Sequence, residues 1–141
     1  MPAVDELLAR DLVTLLDANP AVLVNNIEFT WDAYHAIDQV RDDWLYVTPN
    51  RYLHTRLTRD VWHKSTILNF VFIVPAEVSV GESTISTWLE RWDALVEEIK
   101  AATPLNYSLA EFEQEERFSV SQIQQRARLM FEASGTYPLR V

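Results

Sequence analysis

The 141-residue sequence contains no cysteine, which excludes every structure and reaction that depends on a thiol. Disulfide scaffolds, thiolate-bound zinc, iron–sulfur clusters and cysteine nucleophiles are therefore ruled out. Glycine is almost as scarce, since the sequence has only Gly81 and Gly135. Phosphate-binding glycine loops of the Walker or dinucleotide type, and the Gly-x-Ser-x-Gly nucleophile elbow, need more glycine than this chain provides.

Basic residues are also in the minority, with 12 lysines and arginines against 21 acids and a net charge of -9. This balance argues against a protein that grips nucleic acid over a broad face. The longest apolar run, Ile67–Val74, contains Asn69 and stops at Pro75, far short of the roughly 20 residues of a membrane-spanning helix. Asp5 and Glu6 do not fit an export signal, so we expect a protein made in the cytoplasm with no membrane partner.

The chain does contain enough apolar residues, 48%, for one domain over residues 1–141. Apolar side chains recur at three- and four-residue spacing in Val4–Leu16, which predicts a helix that ends near Asn19. Val22–Phe29 is typical of a strand. The pattern of Trp31–Asp43 is mixed and leaves a loop and a short helix both open.

The middle of the chain has the two-residue period of β-structure. Trp44–Val47 is followed by the turn-like residues Thr48–Asn50 and by a second alternating stretch, Leu53–Leu57. Another turn, around Thr58–Asp60, leads into the apolar stretch Val61–Val74. We therefore predict three successive antiparallel strands, of which the last is central, is covered on both faces and ends at the following proline.

The second half of the chain begins with the strongest helical pattern, Ile85–Ala102. Ser108 and Glu111 then have the spacing of a capping box, which predicts a short acidic helix through Glu116. Alternation in Arg126–Ala133 predicts a final half-buried strand.

Together these elements predict an α+β fold, with an antiparallel or mixed sheet of about four to five strands flanked by two main helices. Residues 103–125 are either an insertion in this single domain or the short acidic helix.

The titratable residues do not form a convincing catalytic set. His54 and His63 would face each other if the hairpin turn is centred near Thr58, and a metal bridging them would still need a third ligand. Ordinary, partly exposed histidines are the better interpretation of these two and of His35. Because the carboxylates occur in consecutive clusters typical of solvated faces, we predict a protein that is not an enzyme and that has no cofactor and no metal. The clustered acids are Asp38, Asp42, Asp43, Glu111, Glu113, Glu115 and Glu116.

One segment reverses the charge of the chain. Arg51–Lys64 contains a single acid, Asp60, among its basic residues. This basic hairpin is suited to an acidic surface of a neighbouring subunit or to phosphate, while a strand with solvated long side chains explains the pattern equally well. Tryptophans outside the two helices add to the case for an interface. The candidate interface residues are Arg51, His54, Arg56, Arg59, Trp62, His63 and Lys64.

The order of elements resembles that of the tail terminator, or tail completion, proteins of long-tailed bacteriophages. The resemblance lies in a leading helix, a strand-rich middle that ends in Ser65–Glu77, a long helix and a last strand. The two helices are Val4–Leu16 and Ile85–Ala102, and the last strand is Arg126–Ala133. It covers most of the chain and is one of architecture, without a catalytic signature. Glu28–Asp43 and Thr103–Gln125 are longer than the minimal family pattern.

The resemblance implies a structural virion protein, made in the host cytoplasm, that forms a homo-oligomeric ring, usually of six copies. Such a ring caps the tail tube and docks to neck or head-completion proteins, and DNA passes through its lumen without specific binding. A small acidic adaptor or inhibitor, of the immunity or antitoxin kind, that binds a basic partner protein is the alternative that the net charge of -9 leaves open.

Overall fold

A computed structural model of the chain describes residues 4–31, 43–56, 62–76, 82–114, 119–123 and 126–139. This part of the chain contains two helices and six strands. The helices are α1 (Val4–Asp17) and α2 (Glu82–Ala101). The strands are β1 (Asn26–Phe29), β2 (Trp44–Arg56), β3 (Trp62–Ala76), β4 (Glu111–Gln114), β5 (Ser119–Ile123) and β6 (Arg126–Pro138).

The strands form one mixed sheet in the order β1-β2-β3-β6-β4, and β5 also pairs with β6. β1 runs parallel to β2, and every other pair is antiparallel. Since β3 pairs along nearly the whole of one edge of β6, β4 and β5 share the opposite edge. The sheet is therefore five strands wide, and the predicted α+β fold with a mixed sheet is confirmed.

Both helices pack on the same face of this sheet, here called the inner face. The 3.6-residue period of α1 places Leu8, Leu12 and Leu16 in a buried row against the sheet. The corresponding row of α2 includes Trp92, whose ring stacks on Phe72 at 5.9 Å between centroids. The two predicted helices are confirmed, and their apolar rows form the main core with the inner face of the strands.

The outer face of the sheet carries a second, smaller apolar cluster. Tyr46, Val71, Ile73 and Met130 are buried there, and Trp44 packs against them. β3 contributes buried side chains to both faces, so the prediction of a central strand covered on two sides is confirmed.

Three of the predicted strand boundaries are wrong: the start of β1, and the end and the start of two predicted strands that the structure joins into one. β1 begins at Asn26 rather than Val22. The predicted turn at Thr48–Asn50 lies inside the continuous strand β2, where the register with β3 shifts between Pro49 and Arg51. A bulge of this kind accommodates a proline that cannot donate a ladder hydrogen bond. The middle of the chain is therefore one long hairpin rather than three strands.

The two long strands β3 and β6 also continue through proline and glycine residues at which the sequence predicts that they end. β3 continues through Pro75 to Ala76, and β6 continues through Gly135 to Pro138. Pairing between these two strands extends over both segments. Tertiary pairing thus overrides the local preference of these residues.

The predicted short acidic helix is also wrong, because Glu111–Gln114 is the strand β4. Phe112 turns toward the core, 6.1 Å from Phe70 between ring centroids, while Glu111 and Glu113 remain exposed. Pairing with β6 outweighs the capping-box preference of Ser108. Part of the predicted insertion therefore belongs to the sheet. The sequence did not predict β5, and residues 32–42 and 115–118 lie outside the described residues.

Candidate functional site

The β2–β3 hairpin continues past the other described strands. β1 pairs with β2 only as far as Val47, and β6 pairs with β3 only from Ser65 onward. Beyond these points, the described residues of the hairpin pair only with each other. The ladder joins Arg51–Arg56 of β2 to Trp62–Ile67 of β3, and only Ser65–Ile67 also pair with β6. We call the two segments Arg51–Arg56 and Trp62–Lys64 the hairpin extension.

The hairpin extension contains six of the seven predicted interface residues. They are Arg51, His54, Arg56, Trp62, His63 and Lys64. The seventh, Arg59, lies outside the described residues. No aspartate or glutamate occurs in either segment of the extension, so the described part of the hairpin carries only positive or neutral side chains in a chain whose net charge is -9.

The register of the hairpin argues against a metal bridged by its two histidines. His54 pairs with Lys64, and His63 pairs with Thr55. Positions that are one residue out of register fall on opposite faces of a pleated ladder. The expectation that the two histidines lie opposite each other is therefore wrong. The ladder instead places His54, Arg56 and Lys64 on one face by position.

The root of the extension is fixed in the core of the sheet. Ser65 and Thr66 are buried, and they pair with Pro138 and Tyr137 of β6. The ring of Tyr137 is fully buried among the inner-face side chains. The extension is therefore joined to a buried part of the sheet.

Acidic side chains form a second surface on β4. Glu111 pairs with Thr136 and Glu113 pairs with Ser134, which places both glutamates on the outer face of the sheet. With Ile67 of β3, these four residues line a cavity of about 230 Å³. Neither glutamate has a salt-bridge partner in the part of the chain that the structure describes. We call this cavity the glutamate groove.

Contacts on the inner face hold β4 in place behind the groove. Gln114 donates a hydrogen bond to Asp93 of α2 at 3.0 Å. The Lys100 ammonium of the same helix lies 5.4 Å from the centre of the Phe112 ring, a cation–π contact. The groove is therefore built on a strand that is attached to both β6 and α2.

Another concavity lies between the segment before β1 and α2. It has a volume of about 50 Å³, and the exposed Leu23 and the Arg91 side chain contribute to its wall. Pockets for small-molecule ligands typically measure about 300–1,000 Å³. Both this concavity and the glutamate groove are smaller, and they match the size of single protein side chains better than that of a ligand.

The remaining clustered acids, which we considered as catalytic or metal-binding candidates, are either engaged in a structural contact or lie outside the described residues. Asp43 is buried and accepts hydrogen bonds from Asn25, so its carboxylate is engaged in holding the chain. Asp38, Asp42, Glu115 and Glu116 lie outside the described residues. Across the described ranges, no group of three histidine, aspartate or glutamate side chains is placed to hold a metal ion.

The tryptophans predicted to mark an interface occupy three different surroundings. Trp31 is 56% exposed and meets Phe29 edge to face at 5.3 Å. Trp44 stacks on Tyr46 of the outer face at 5.6 Å, and Trp62 belongs to the hairpin extension. Only Trp62 therefore lies with the predicted basic residues.

Sequence reasoning did not find the glutamate groove, because it assigned β4 to a helix. The two-residue alternation of Glu111, Phe112 and Glu113 is the signal that could have revealed it.

The described helices include none that is long and apolar enough to cross a membrane. A comparison of the chain with protein-family models and with curated protein sequences finds no match in either.

Proposed function

We propose that this chain is a structural protein that assembles into a homo-oligomeric ring, in the manner of the phage tail terminators that its element order resembles. The hairpin extension is the observation that carries the proposal. A basic two-stranded element that continues past the other described strands of an acidic protein is suited to reach a neighbouring molecule. In this role the ring caps a tail tube and meets the neck or head-completion proteins.

The charge distribution supports assembly into a ring rather than a symmetric pair. A head-to-tail ring needs two different complementary surfaces on each subunit. The extension supplies a basic surface at Arg51–Arg56, and exposed acids such as Glu90, Glu97 and Glu113 supply negative ones. The proposed ring has six copies, as the resemblance implies, and its net negative charge lets DNA pass through without binding.

The acidic residues of α2 favour one other function. Glu90, Asp93 and Glu97 are exposed on this helix, and Glu97 pairs with Lys100 at 3.6 Å. A surface of this kind suits an adaptor or inhibitor that binds a basic protein. Such a protein works as a monomer or dimer and does not need the hairpin extension.

The native mass of the purified chain separates the two functions. We expect light scattering over a concentration series to show a closed species of several copies, alone or with the tail tube protein of its virus, and negative-stain images to show rings. A chain that stays monomeric both alone and with tube protein would contradict the ring. Binding of a basic partner by that monomer would then support the adaptor.

A further inference from the structure

We infer that the glutamate groove receives the hairpin extension of a second copy of this chain. The inference rests on the proposed function and adds the second surface of the subunit contact. The partner is identified by its chemistry: Glu111 and Glu113 have no salt-bridge partner among the described residues, so the groove is complementary to lysine and arginine side chains.

The outer part of the extension, His54–Arg56 with Trp62–Lys64, cannot reach the groove of its own molecule. Along one row of the sheet, Arg51, Ile67, Thr136 and Glu111 occupy four successive strands. At about 4.8 Å between strands, the row places β2 about 14 Å from β4. Arg56 is five residues further along β2, which adds about 17 Å in the strand direction. The basic end of the extension therefore points away from its own groove.

The groove is also built to accept a partner without rearrangement. Its floor consists of β3, β6 and β4, which are joined by regular ladders. The hydroxyls of Ser134 and Thr136 lie beside the two carboxylates and can accept hydrogen bonds from an ammonium or guanidinium group. A volume of about 230 Å³ suits the ends of long basic side chains. The side chains that lose conformational freedom on binding are then mainly those of the incoming hairpin.

A contact between extension and groove is heterologous, because it joins two different surfaces, the extension of one copy and the groove of the next. When the extension of one copy occupies the groove of the next, the extension of that next copy remains free. Repetition of the same rotation closes a ring or continues as a filament. The geometry of this one contact is therefore sufficient to generate the oligomer.

Charge reversal on the two surfaces tests the contact. One variant carries Glu111→Lys and Glu113→Lys, and a second carries Arg56→Glu and Lys64→Glu. Each variant alone brings like charges together, so we expect assembly to require at least about a tenfold higher concentration than in the parent. An equimolar mixture restores opposite charges at every contact, so we expect it to regain the size of the parent assembly in sedimentation velocity.

A matched control separates the groove from net charge. Asp11→Lys with Asp17→Lys replaces two exposed helical acids and changes the net charge by +4, from -9 to -5, as the groove variant does. We expect this control to assemble like the parent. Far-UV circular dichroism and thermal unfolding of all variants check that the substitutions leave the fold intact.

The outcomes distinguish the contact from the ring. A groove variant that assembles like the parent, or a mixture that fails to recover, overturns the contact and leaves the ring proposal standing. A discrete dimer that is lost in each variant and regained in the mixture supports the contact and overturns the ring. A parent chain that stays monomeric alone and with tube protein overturns both.

Discussion

Asp43, the residue before β2, accepts hydrogen bonds from both the backbone nitrogen and the side-chain amide of Asn25, the residue before β1. The next residues along the chain, Trp44 and Asn26, are the first register partners of the parallel pair. The Asn26 side chain also donates to the Asp43 carbonyl at 3.5 Å. Three hydrogen bonds thus define the start of the parallel strand pair.

Substitution of Asp43 tests this arrangement. We expect Asp43→Ala to lower the free energy of unfolding by about 2–3 kcal/mol, because it removes the charged acceptor of both hydrogen bonds from Asn25. Asn25→Ala keeps the backbone donor and should cost about 1 kcal/mol. Urea denaturation of both variants gives the two values. Equal losses for the two would show that the backbone hydrogen bond adds nothing.

Trp92 should be the most sensitive position of α2. Its ring stacks on both Phe72 and Phe131, each at 5.9 Å, and its indole nitrogen is buried without a hydrogen-bond partner among the described residues. We expect Trp92→Ala to cost about 3–5 kcal/mol. Trp92→Phe keeps a stacked ring and removes the unpaired donor, so it should cost clearly less. Chemical denaturation measures the difference, and similar losses would contradict the role of stacking.

Gly135 and Tyr137 form a second packing test. A Cβ atom added at Gly135 would lie 2.9 Å from Cε2 of Tyr137 and 3.3 Å from Cδ1 of Leu109. We expect Gly135→Ala to destabilise the protein by about 1–3 kcal/mol through overpacking. A thermal unfolding midpoint equal to that of the parent would show that the Tyr137 ring yields without cost.

The Tyr137 hydroxyl itself should be dispensable for stability. It is buried, has no hydrogen-bond partner within the described residues, and burial raises its pKa. We expect Tyr137→Phe to leave the free energy of unfolding unchanged or to increase it, since an unpaired polar group no longer has to be buried. A loss above about 1 kcal/mol in urea denaturation would indicate a partner for this hydroxyl.

Alkaline pH should destabilise the fold partly through Tyr46. Burial, with a smaller contribution from the Glu28 carboxylate, raises the pKa of the Tyr46 phenol to about 12. In the unfolded chain the phenol loses its proton near pH 10. The unfolded state therefore binds fewer protons between about pH 10 and 12, and stability falls as the pH rises through this interval.

The Tyr46→Phe variant isolates that contribution. We expect its thermal unfolding midpoint to fall less than that of the parent between pH 9 and pH 11.5, while the difference between the two proteins at pH 7 serves as the reference. Parallel curves for variant and parent over this interval would show that Tyr46 ionises equally easily in the folded and unfolded chains.

The helices were predictable because their apolar residues repeat at the helical period, and burial follows from that repeat. The strand boundaries were less so. Pro49 has the local character of a turn, yet it lies opposite Leu68 beside a bulge in a continuous strand. Glu111 has the spacing of a capping residue, yet its register with Thr136 places it in a sheet. In both cases long-range pairing decided the conformation, and local sequence does not encode it.

The two surfaces of the candidate site also differ in how far the local sequence predicts them. The hairpin extension was predictable, since its basic residues are close together in sequence. The glutamate groove joins residues of β3, β4 and β6, so it exists only after the register between these strands is set. The offset between His54 and His63 likewise depends on a bulge that the sequence pattern does not reveal.

The edge strand opposite β6 is interrupted by a change of register. Gln114 pairs with Ala133, and Ser119 pairs with Met130. Four residues of sequence, 115–118, therefore separate the two segments, where β6 has only two residues between their partners. Deletion of two of the four would bring β4 and β5 into one continuous strand with a single register.

Such a continuous strand would offer a long row of backbone donors and acceptors to the edge of another sheet. The offset divides this edge into two short segments of four and five residues. Growth by adding strand to strand is thereby disfavoured at this edge. A difference of two residues in chain length thus helps to protect the sheet against open-ended aggregation.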